Sequence, residues 1–392
     1  MSAAGVTLAI AAGALSAAWC AFLVHGLRTA LTFRRFADLP APPPASWPKL
    51  TVVVAACDEE ETIGPALATL LAQDYPRLEI VVVDDRSRDA TGRIADAAAR
   101  EDPRLQVVHV RELPAGWLGK VHALDRGVAA ATGDWLLFTD ADVHFSKDAL
   151  RRAIAHAEHA RLDHLTVAPE LLAPGFVEDM VSAAFVTAFM AGTRAVDVGR
   201  SGSKAFVGVG AFNLVRRSTF RRTPGFRWLK MEVLDDVGLG LMMKNAGGRA
   251  AFAIGIGDIT ITWYRSLTAM ARGLEKNMFG AFCRYRIGRL IAIVLGAVVV
   301  LPAPLVALAV PPRPWLPMLG ATAIALVVAN AVVLGARARR PWLPLALAPW
   351  GAVIFVALVV RSAWRCLRDG GITWRGTLYP LRDLREGQRV KL

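Results

Sequence analysis

Residues 134–142 read Asp134-Trp135-Leu136-Leu137-Phe138-Thr139-Asp140-Ala141-Asp142, an apolar run of strand length that ends in two closely spaced carboxylates. In extended backbone, residues i and i+2 point to the same side, so Asp140 and Asp142 can converge on one cation. Carboxylates at the carboxyl end of a buried strand, together with substrate phosphates, suit Mg²⁺ or Mn²⁺. The same short pattern also occurs in solvated turns and helix caps, so its surroundings decide its meaning.

Strand-like and helical patterns alternate around this stretch. Apolar, β-branched runs predict buried strands at residues 50–56, 78–83, 105–110 and 135–138. Helical patterns lie between them at residues 58–71, 91–100 and 120–131, the first opening with an acidic turn. This alternation predicts an α/β fold whose sheet is mostly parallel and whose crossovers are right-handed.

Two further strands of this unit end in acidic residues. Asp58-Glu59-Glu60 follows the first strand, and Asp84-Asp85 ends the second. The carboxyl ends of parallel strands meet at one edge of the sheet, where three acidic clusters would repel one another in an empty site. A site for a cation and a sugar nucleotide explains them together, whereas helix capping explains each cluster only singly.

Three segments in this order resemble the family 2 glycosyltransferases. Residues 71–91 (LAQDYPRLEIVVVDDRSRDAT) closely match a family motif, and residues 139–142 (TDAD) match its metal motif. Residues 52–63 (VVVAACDEEETI) resemble its opening strand, although Ala56-Cys57-Asp58-Glu59 replaces the usual Asn-Glu spelling. The resemblance covers residues 51–142, continues more loosely to residue 280, and implies an A-type, Rossmann-like domain.

The resemblance implies the positions of the donor's nucleoside. Ala55, Cys57 and Glu59 would lie near the nucleoside, and Asp85 would hydrogen-bond to the base, for which uracil is favoured. The expected donor is therefore a nucleotide-diphosphate sugar, most readily a UDP-sugar.

The resemblance also implies how the diphosphate is held. Asp140 would reach the ribose or the sugar, and Asp142, with Asp140, would hold Mg²⁺ or Mn²⁺ on the diphosphate. Residues 116–120 (GWLGK) are similar to a motif of lipid-modifying members, in which Lys120 would supply a positive charge for a phosphate. The alternative is a solvated lysine at a helix start.

The second half of the domain is expected to form the acceptor side. Residues 180–190 are apolar but too short to span a bilayer, so they predict a buried or an interfacial helix, and the interfacial position is favoured. Residues 206–214 (FVGVGAFNL) resemble the family's glycine-rich strand under the donor sugar. Glycines there would let the backbone approach a ligand or another strand closely.

Residues 232–240 (EVLDDVGLG) correspond to the segment that carries the family's catalytic base. The base position falls on Asp236, and Asp235 replaces the usual Glu beside it. Displacing a nucleoside diphosphate with inversion requires deprotonation of the acceptor on the opposite face, which a carboxylate can do. The metal neutralises the leaving diphosphate, so no general acid is needed there.

Aromatic and basic residues follow the domain in place of the Q-x-x-R-W motif of processive synthases, which is not found. Trp263, Arg265 and Lys276 stand in that neighbourhood. They could bind the diphosphate or form an interfacial belt at the bilayer. The pattern is closer to members that glycosylate membrane lipids such as carotenoids or hopanoids.

Apolar segments at both ends make this a membrane protein by sequence, with 54% hydrophobic residues. Residues 5–27 can span a bilayer, and residues 290–310, 316–334 and 342–360 are near spanning length. We expect an anchor at 1–27, a basic and proline-rich linker at 28–49, a catalytic domain at 50–280, membrane segments at 281–362, and a tail at 363–392.

The net charge of +13 lies largely in arginines beside the apolar segments, which favours cytoplasmic loops and anionic headgroups over nucleic acid. The catalytic domain is therefore predicted to be cytoplasmic, at a bacterial inner membrane. Three complete crossings after residue 290 would put an arginine-rich tail outside, so the number of crossings stays open. Residues 372–379 (ITWRGTLY) resemble the ending of lipid-modifying members, which favours a cytoplasmic tail near the active site.

These observations predict a membrane-anchored inverting glycosyltransferase that moves one sugar to a membrane lipid such as an isoprenoid, hopanoid, carotenoid or sphingolipid-like acceptor. A processive polysaccharide synthase and a non-catalytic nucleotide-binding membrane protein are the alternatives. A dehydrogenase is disfavoured because no G-x-G-x-x-G follows the first strand.

Overall fold

One eight-stranded sheet forms the centre of the computed structural model, which describes residues 3–309 and 315–391. Its strands are β1 (Leu50–Ala56), β2 (Leu78–Asp85), β3 (Leu105–Val110), β4 (Trp135–Asp140), β5 (His144–Phe145), β6 (His164–Leu172), β7 (Asn213–Arg216) and β8 (Ala250–Thr262). They lie in the order β3-β2-β1-β4-β7-β6-β8-β5. β1 pairs in parallel with β2 and β4, and β2 with β3, as the sequence predicts. β7 and β5 pair antiparallel with their neighbours.

Helices cover both faces of the sheet and continue into the membrane region. They are α1 (Ala3–Thr32), α2 (Ile63–Leu71), α3 (Thr91–Glu101), α4 (Gly119–Ala130), α5 (Ala149–His159), α6 (Phe176–Thr193), α7 (Arg217–Phe220), α8 (Asp235–Asn245), α9 (Leu267–Leu274), α10 (Met278–Cys283), α11 (Ile287–Val300), α12 (Ala303–Ala309), α13 (Trp315–Ala338), α14 (Trp342–Ala346), α15 (Ala348–Arg368) and α16 (Leu381–Gly387). Short 3-10 turns lie at Phe36–Asp38, Ala195–Asp197 and Phe226–Leu229.

The apolar run of β1 is buried from both sides. Val52 and Val54 belong to one core cluster with Ile63 of α2, and Val53 belongs to another with Val121 of α4. A strand that is covered on both faces needs continuous apolar residues rather than an alternating pattern. This explains why the β-branched runs in the sequence predict the central strands correctly.

The predicted helix at residues 58–71 begins later than expected, at Ile63. The backbone N–H groups of Asp58 and Glu59 donate to the hydroxyls of Ser87 and Thr91, and these hydrogen bonds hold the segment against the loop after β2. Asp58 also has a left-handed backbone, with φ of 53°. The acidic residues therefore form a loop beside the second strand end, and do not form the first turn of α2.

The glycine-rich segment 206–214 is only partly a strand, because β7 begins at Asn213. The residues before it run in irregular backbone against α8. A Cβ on Gly208 would collide with the carbonyl oxygen of Asp236, and a Cβ on Gly240 would collide with that of Val207. The glycines thus allow the segment to approach the helix that carries the predicted base.

Within the described residues, five helices are long and apolar enough to cross a membrane by length and composition: Ala9–Thr32, Phe176–Thr193, Ile287–Ala309, Trp315–Ala338 and Ala348–Arg368. The second corrects the prediction that the apolar run at 180–190 is too short, because the helix that contains it has 18 residues. The predicted segment 290–310 is divided between α11 and α12, and residue 310 lies outside the described residues. The predicted segment 342–360 begins too early, because α14 precedes α15.

The long apolar helices form two groups. In the first, α1 packs on α13, where Asn330 Nδ2 donates to Leu23 O at 3.0 Å and Arg337 Nη2 donates to Phe33 O at 3.0 Å. In the second, α6 packs on α15, with the Phe185 and Phe355 rings 6.1 Å apart. The second group lies directly against the sheet domain, as Phe282 of α10 also contacts Phe355.

The chain returns to the domain after α15. A two-stranded hairpin, β9 (Gly371–Trp374) and β10 (Thr377–Pro380), is followed by α16. The Glu232 carboxylate, only 2% exposed, accepts hydrogen bonds from the N–H groups of Leu234, Arg389 and Val390. Burial raises the pKa of Glu232, and these donors oppose that effect. One buried carboxylate therefore fixes the end of the tail to the domain.

Replacing Glu232 with Ala is expected to release residues 388–391, because two buried N–H groups of the tail lose a charged acceptor. Each such hydrogen bond contributes about 1.5–3 kcal/mol. Hydrogen exchange of the full chain in detergent should accelerate at these residues, with a lower thermal midpoint. Glu386→Ala is the matched control, since Glu386 pairs with Arg382 on the exposed surface of α16. Unchanged exchange in the Glu232 variant would contradict this role.

Candidate active site

The carboxyl ends of β1, β2 and β4 open into one cavity of about 1960 Å³. Nearly all the residues that the sequence predicts for the site line this cavity: Ala55, Cys57, Glu59, Asp85, Lys120, Asp140, Asp142, Asp235, Asp236, Trp263 and Lys276. The sheet topology brings the first strand ends together, and α4 and α8 supply the lysine and the aspartate pair. The structure therefore collects residues that are up to about two hundred positions apart in the sequence.

Lys120 is the central cation of this group. Its Nζ lies 2.6 Å from Asp140 Oδ1 and 3.7 Å from Asp235 Oδ2. Burial alone would lower the pKa of Lys120, but the carboxylates of Asp140 and Asp235 raise it well above its usual value. The ammonium group therefore stays charged and joins the end of β4 to the start of α8.

Asp142 has no ion-pair partner among the described residues, although the more distant Lys120 lowers its pKa somewhat. Burial, with the negative charges of Asp140 and Glu59, raises the pKa of Asp142 to about 7. A bound divalent cation would relieve this repulsion, and carboxylate oxygens are suitable ligands for Mg²⁺ or Mn²⁺. Among the described residues, no three His, Cys, Asp or Glu side chains form a ready-made metal cage. The residues therefore fit an ion that takes most of its other ligands from phosphate and water.

The predicted nucleoside side contains a paired carboxylate and a neutral thiol. Asp85 accepts hydrogen bonds from Arg86 Nε at 2.8 Å and from Arg86 Nη2 at 2.9 Å, so the base would meet an ion pair rather than a lone carboxylate. Burial and the charge of Asp58 raise the pKa of Cys57 to about 11. The Cys57 thiol is therefore protonated near neutral pH and suits packing, not nucleophilic attack.

The predicted base lies in the first turn of α8. Asp236 Oδ2 accepts a hydrogen bond from Gly210 N at 2.9 Å, and Oδ1 accepts one from Val237 N at 2.8 Å. Burial and the neighbouring charge of Asp235 raise the pKa of Asp236 to about 7. A carboxylate that is oriented by two N–H groups and titrates near neutral pH is well suited to accept a proton. Asp235 is buried beneath it, 5% exposed, and faces Lys120.

The predicted group of Trp263, Arg265 and Lys276 is divided. Trp263 lines the cavity and packs on Phe185 of α6, with ring centroids 4.5 Å apart. Arg265 does not line it; its guanidinium pairs with Glu61 at 2.8 Å, where both side chains are 71% exposed. This geometry does not support a role for Arg265 in binding diphosphate, and a place at the bilayer interface stays a prediction.

The tail supplies site residues that sequence reasoning did not identify individually. Trp374, Arg375 and Tyr379 line the cavity, and Tyr379 Oη accepts a hydrogen bond from Gly119 N at 3.1 Å. Arg375 forms an ion pair with Glu59. The resemblance of residues 372–379 to the ending of lipid-modifying glycosyltransferases places the tail near the site, but local sequence does not indicate which residues meet.

The far part of the cavity is apolar. It is lined by Phe22 and Leu23 of α1, Phe185 of α6, and Val327 and Leu334 of α13. One continuous space therefore joins the carboxylate cluster to the long apolar helices. Its two ends differ in chemistry, because carboxylates and Lys120 line the sheet edge, whereas apolar side chains predominate between the helices beside His25, Asn330 and Arg340.

Comparison with known sequences identifies the domain that carries this site. Residues 51–237 match the sequence model described as Glycosyl transferase family 2. These residues are a family 2 glycosyltransferase domain. The resemblance drawn from the strand-end motifs is thereby confirmed.

Two relatives of this chain are named for the glycosylation of lipids or carotenoids. Beta-monoglucosyldiacylglycerol synthase of Synechocystis sp. is 34% identical over 152 residues, which are 35% of this chain and 31% of the relative. A 4,4'-diaponeurosporenoate glycosyltransferase of Staphylococcus aureus is 27% identical over 264 residues, 63% of this chain and 68% of the relative. With Succinoglycan biosynthesis protein ExoO of Rhizobium meliloti, the match spans 43% of the relative. The chain thus spans less than half of two of these relatives.

A solved structure supports the fold across most of the chain. Mannosyltransferase PcManGT from Pyrobaculum calidifontis, in complex with GDP-Man and Mn²⁺, has a TM-score of 0.50 and 21% sequence identity. The match covers 92% of this chain and 99% of that one. The A-type glycosyltransferase fold, with apolar helices flanking the domain, is confirmed by this likeness and by the family match.

Gly210→Ala is expected to slow the cleavage of nucleotide sugars at this site without unfolding the protein. A Cβ at this position would lie 2.5 Å from Asp140 Oδ2, so that side chain must move. A shift of about 1 Å in a reacting geometry costs about 100-fold in rate. Release of nucleoside diphosphate from nucleotide sugars measures the loss, with the thermal midpoint as a check on folding. In the control Gly64→Ala, the Cβ makes only an ordinary contact, 3.6 Å from Ile94. Full activity of the Gly210 variant would contradict the assignment.

Proposed function

We propose that this protein is a membrane-anchored inverting glycosyltransferase that transfers a single sugar from a nucleoside-diphosphate sugar to a hydroxyl or carboxyl group of a membrane lipid. The observation that carries the proposal is the single cavity that runs from the carboxylate cluster to the apolar helices. A polar donor and an apolar acceptor need such a two-ended space. The family 2 domain supplies the class of reaction.

The donor end suits a nucleotide diphosphate with a divalent cation. Asp142, with Asp140 beside it, would hold Mg²⁺ or Mn²⁺, which neutralises charge on the diphosphate as it leaves. Asp85 and Glu59 would face the nucleoside, for which uridine is favoured. The structural neighbour was solved with GDP-Man and Mn²⁺, which supports a metal-dependent donor but leaves the nucleotide to experiment.

Asp236 is the proposed base. Its two N–H donors fix the direction of the carboxylate, and its pKa of about 7 leaves it substantially ionised near neutral pH. It would take the proton from the acceptor as that oxygen attacks the anomeric carbon. The leaving diphosphate departs from the opposite face, which gives inversion. Asp235 and Lys120 hold the start of α8 against β4, so that base and donor stay in register.

The acceptor end suits the tail of a membrane lipid. Aromatic and aliphatic side chains of α1, α6 and α13 line it, and water is a poor occupant of such a surface. Two relatives are named for a glycerolipid and for a carotenoid product, and an isoprenoid, hopanoid or sphingolipid-like acceptor is also compatible with the lining.

We propose that α1, the α11–α12 pair and α13 cross the membrane, whereas α6 and α15 lie at its surface. Contacts hold α15 at two places: a Cβ on Gly351 would meet Met180 O of α6, and Ser362 Oγ accepts a hydrogen bond from Phe279 N of α10. The end of α13 returns beside the end of α1. This arrangement puts the arginine-rich tail in the cytoplasm and removes the conflict left by three crossings after residue 290. A bacterial inner membrane fits it.

Asp236→Asn tests the base. Sugar transfer from UDP-, GDP- or CMP-linked donors to lipid extract should fall by about 10²–10⁴-fold. Donor affinity should stay within about threefold, since the amide occupies the same space. Asp383→Asn, on the exposed face of α16, is the control. Chelation by EDTA should abolish transfer in the wild-type protein, and added Mn²⁺ or Mg²⁺ should restore it.

Three outcomes would count against parts of this proposal. Full transfer by the Asp236 variant would remove the base assignment. A ladder of polymer would indicate a processive synthase. A wild-type protein that neither binds nor hydrolyses any nucleotide sugar with Mn²⁺ or Mg²⁺ would reject the function.

The crossings can be tested with reporters at the end of the tail. A green fluorescent protein fused after residue 392 should fluoresce in bacterial cells, because the tail is expected in the cytoplasm. Alkaline phosphatase at the same position should be inactive. The reverse pattern would show that α15 crosses the bilayer. Fusion after residue 313 serves as the control, since the segment between α12 and α13 is expected on the opposite side.

A further inference from the structure

The turn of the β9–β10 hairpin consists of Arg375 and Gly376. Trp374 pairs with Thr377, and both turn residues have positive φ, 48° and 75°. Two-residue turns of this kind favour Asn, Asp or Gly at the first position, because a side chain there costs backbone energy. Arg375 therefore occupies a turn position that favours smaller residues, and interactions of its side chain are needed to offset the backbone cost.

The hairpin rests on three loops of the donor side. Arg375 Nη1 donates to Asp58 O at 3.1 Å, after β1, and the same guanidinium pairs with Glu59. Thr377 lies 3.5 Å from Arg86 Nη1, after β2. Tyr379 contacts the first residue of α4. The hairpin thus forms one wall of the cavity. Arg375, in its turn, contacts the acidic loop after β1.

Arg375 has hydrogen-bonding capacity to spare. Its contacts with the loop after β1 use two of the five N–H groups of a guanidinium, and its side chain is 40% exposed within the cavity lining. Attaching the tail to the loop after β1 requires only the two contacts, so the exposed N–H groups are available for a ligand. Planar N–H groups that face a cavity match phosphate oxygens.

A second cation stands beside it. Lys276 Nζ lies 4.0 Å from the centre of the Trp374 ring, and the described residues give it no ion-pair partner. The aromatic face holds the ammonium group without neutralising it. Lys276 and Arg375 together therefore offer positive charge to the same space, whereas Lys120 is already occupied by Asp140 and Asp235.

We propose that the β9–β10 hairpin is part of the donor site and that Arg375, with Lys276 positioned by Trp374, binds the diphosphate of the nucleotide sugar. The inference rests on the proposed function and adds residues to it. Arg375 would keep Glu59 in place through one edge of its guanidinium and contact phosphate through the other. The tail would then bind substrate directly, besides being attached to the domain.

Arg375→Gly in the full chain tests this. Glycine accepts the backbone conformation of the turn, so the hairpin should fold without the side chain. Binding of UDP, GDP and CDP is measured by titration calorimetry in detergent with Mn²⁺, and binding of the matching nucleosides by competition. For the nucleoside diphosphate that the wild-type protein binds, we expect at least a tenfold loss of affinity, with less than a twofold loss for its nucleoside.

Arg375→Lys is expected to recover part of this affinity, because it keeps the charge but loses the planar fork. Arg382→Ala, which removes an exposed arginine of α16, should bind like the wild-type protein. Unchanged diphosphate affinity in the Arg375→Gly variant would overturn the inference. So would an equal loss for nucleoside and diphosphate, which would show that the hairpin only shapes the pocket. Failure of the wild-type protein to bind any of the three diphosphates would instead reject the proposed function itself.

Discussion

The ion pairs of Lys120 with Asp140 and Asp235 are the interactions on which the rest of the site depends. They join the end of a sheet strand to the start of α8, two elements whose carboxylates would otherwise repel each other. Two like charges about 4 Å apart near a protein surface repel by about 4 kcal/mol. The lysine removes that penalty on one side of the cluster, and at Asp142 it only partly offsets burial and the charges of Asp140 and Glu59. A bound cation would therefore relieve most repulsion at Asp142.

Close backbone approach is the second constraint. Gly208 and Gly240 let the irregular segment before β7 touch α8, which carries Asp236. Any larger residue would separate Asp236 from the carboxyl ends of the central strands. The membrane helices attach to this same region through α6 and α15. The polar and apolar ends of the cavity therefore meet within one packed unit, so that a bound lipid and a bound nucleotide would share its walls.

The sequence predicts the parts of the fold that follow local rules. β-branched runs mark the central strands, and the spacing of Asp140 and Asp142 marks one strand end. Contacts between distant residues leave no such pattern: Arg375 and Glu59 are 316 positions apart. The start of α2 differs from the prediction for a similar reason, because Ser87 and Thr91, 29 and 32 positions away from their partners, hold Asp58 and Glu59 in a loop. The resemblance to lipid-modifying glycosyltransferases supplied the position of the tail, but no individual contact.

The place of the hairpin in the chain has a consequence for biosynthesis. Residues 371–380 close a wall of a cavity whose carboxylates and lysines lie between positions 59 and 276. The ribosome makes α11 to α15 between these two parts. The sheet can fold while that region is being inserted, but its cavity stays open on one side until the hairpin emerges. The cavity of a nascent chain is therefore incomplete until α11 to α15 have all been made.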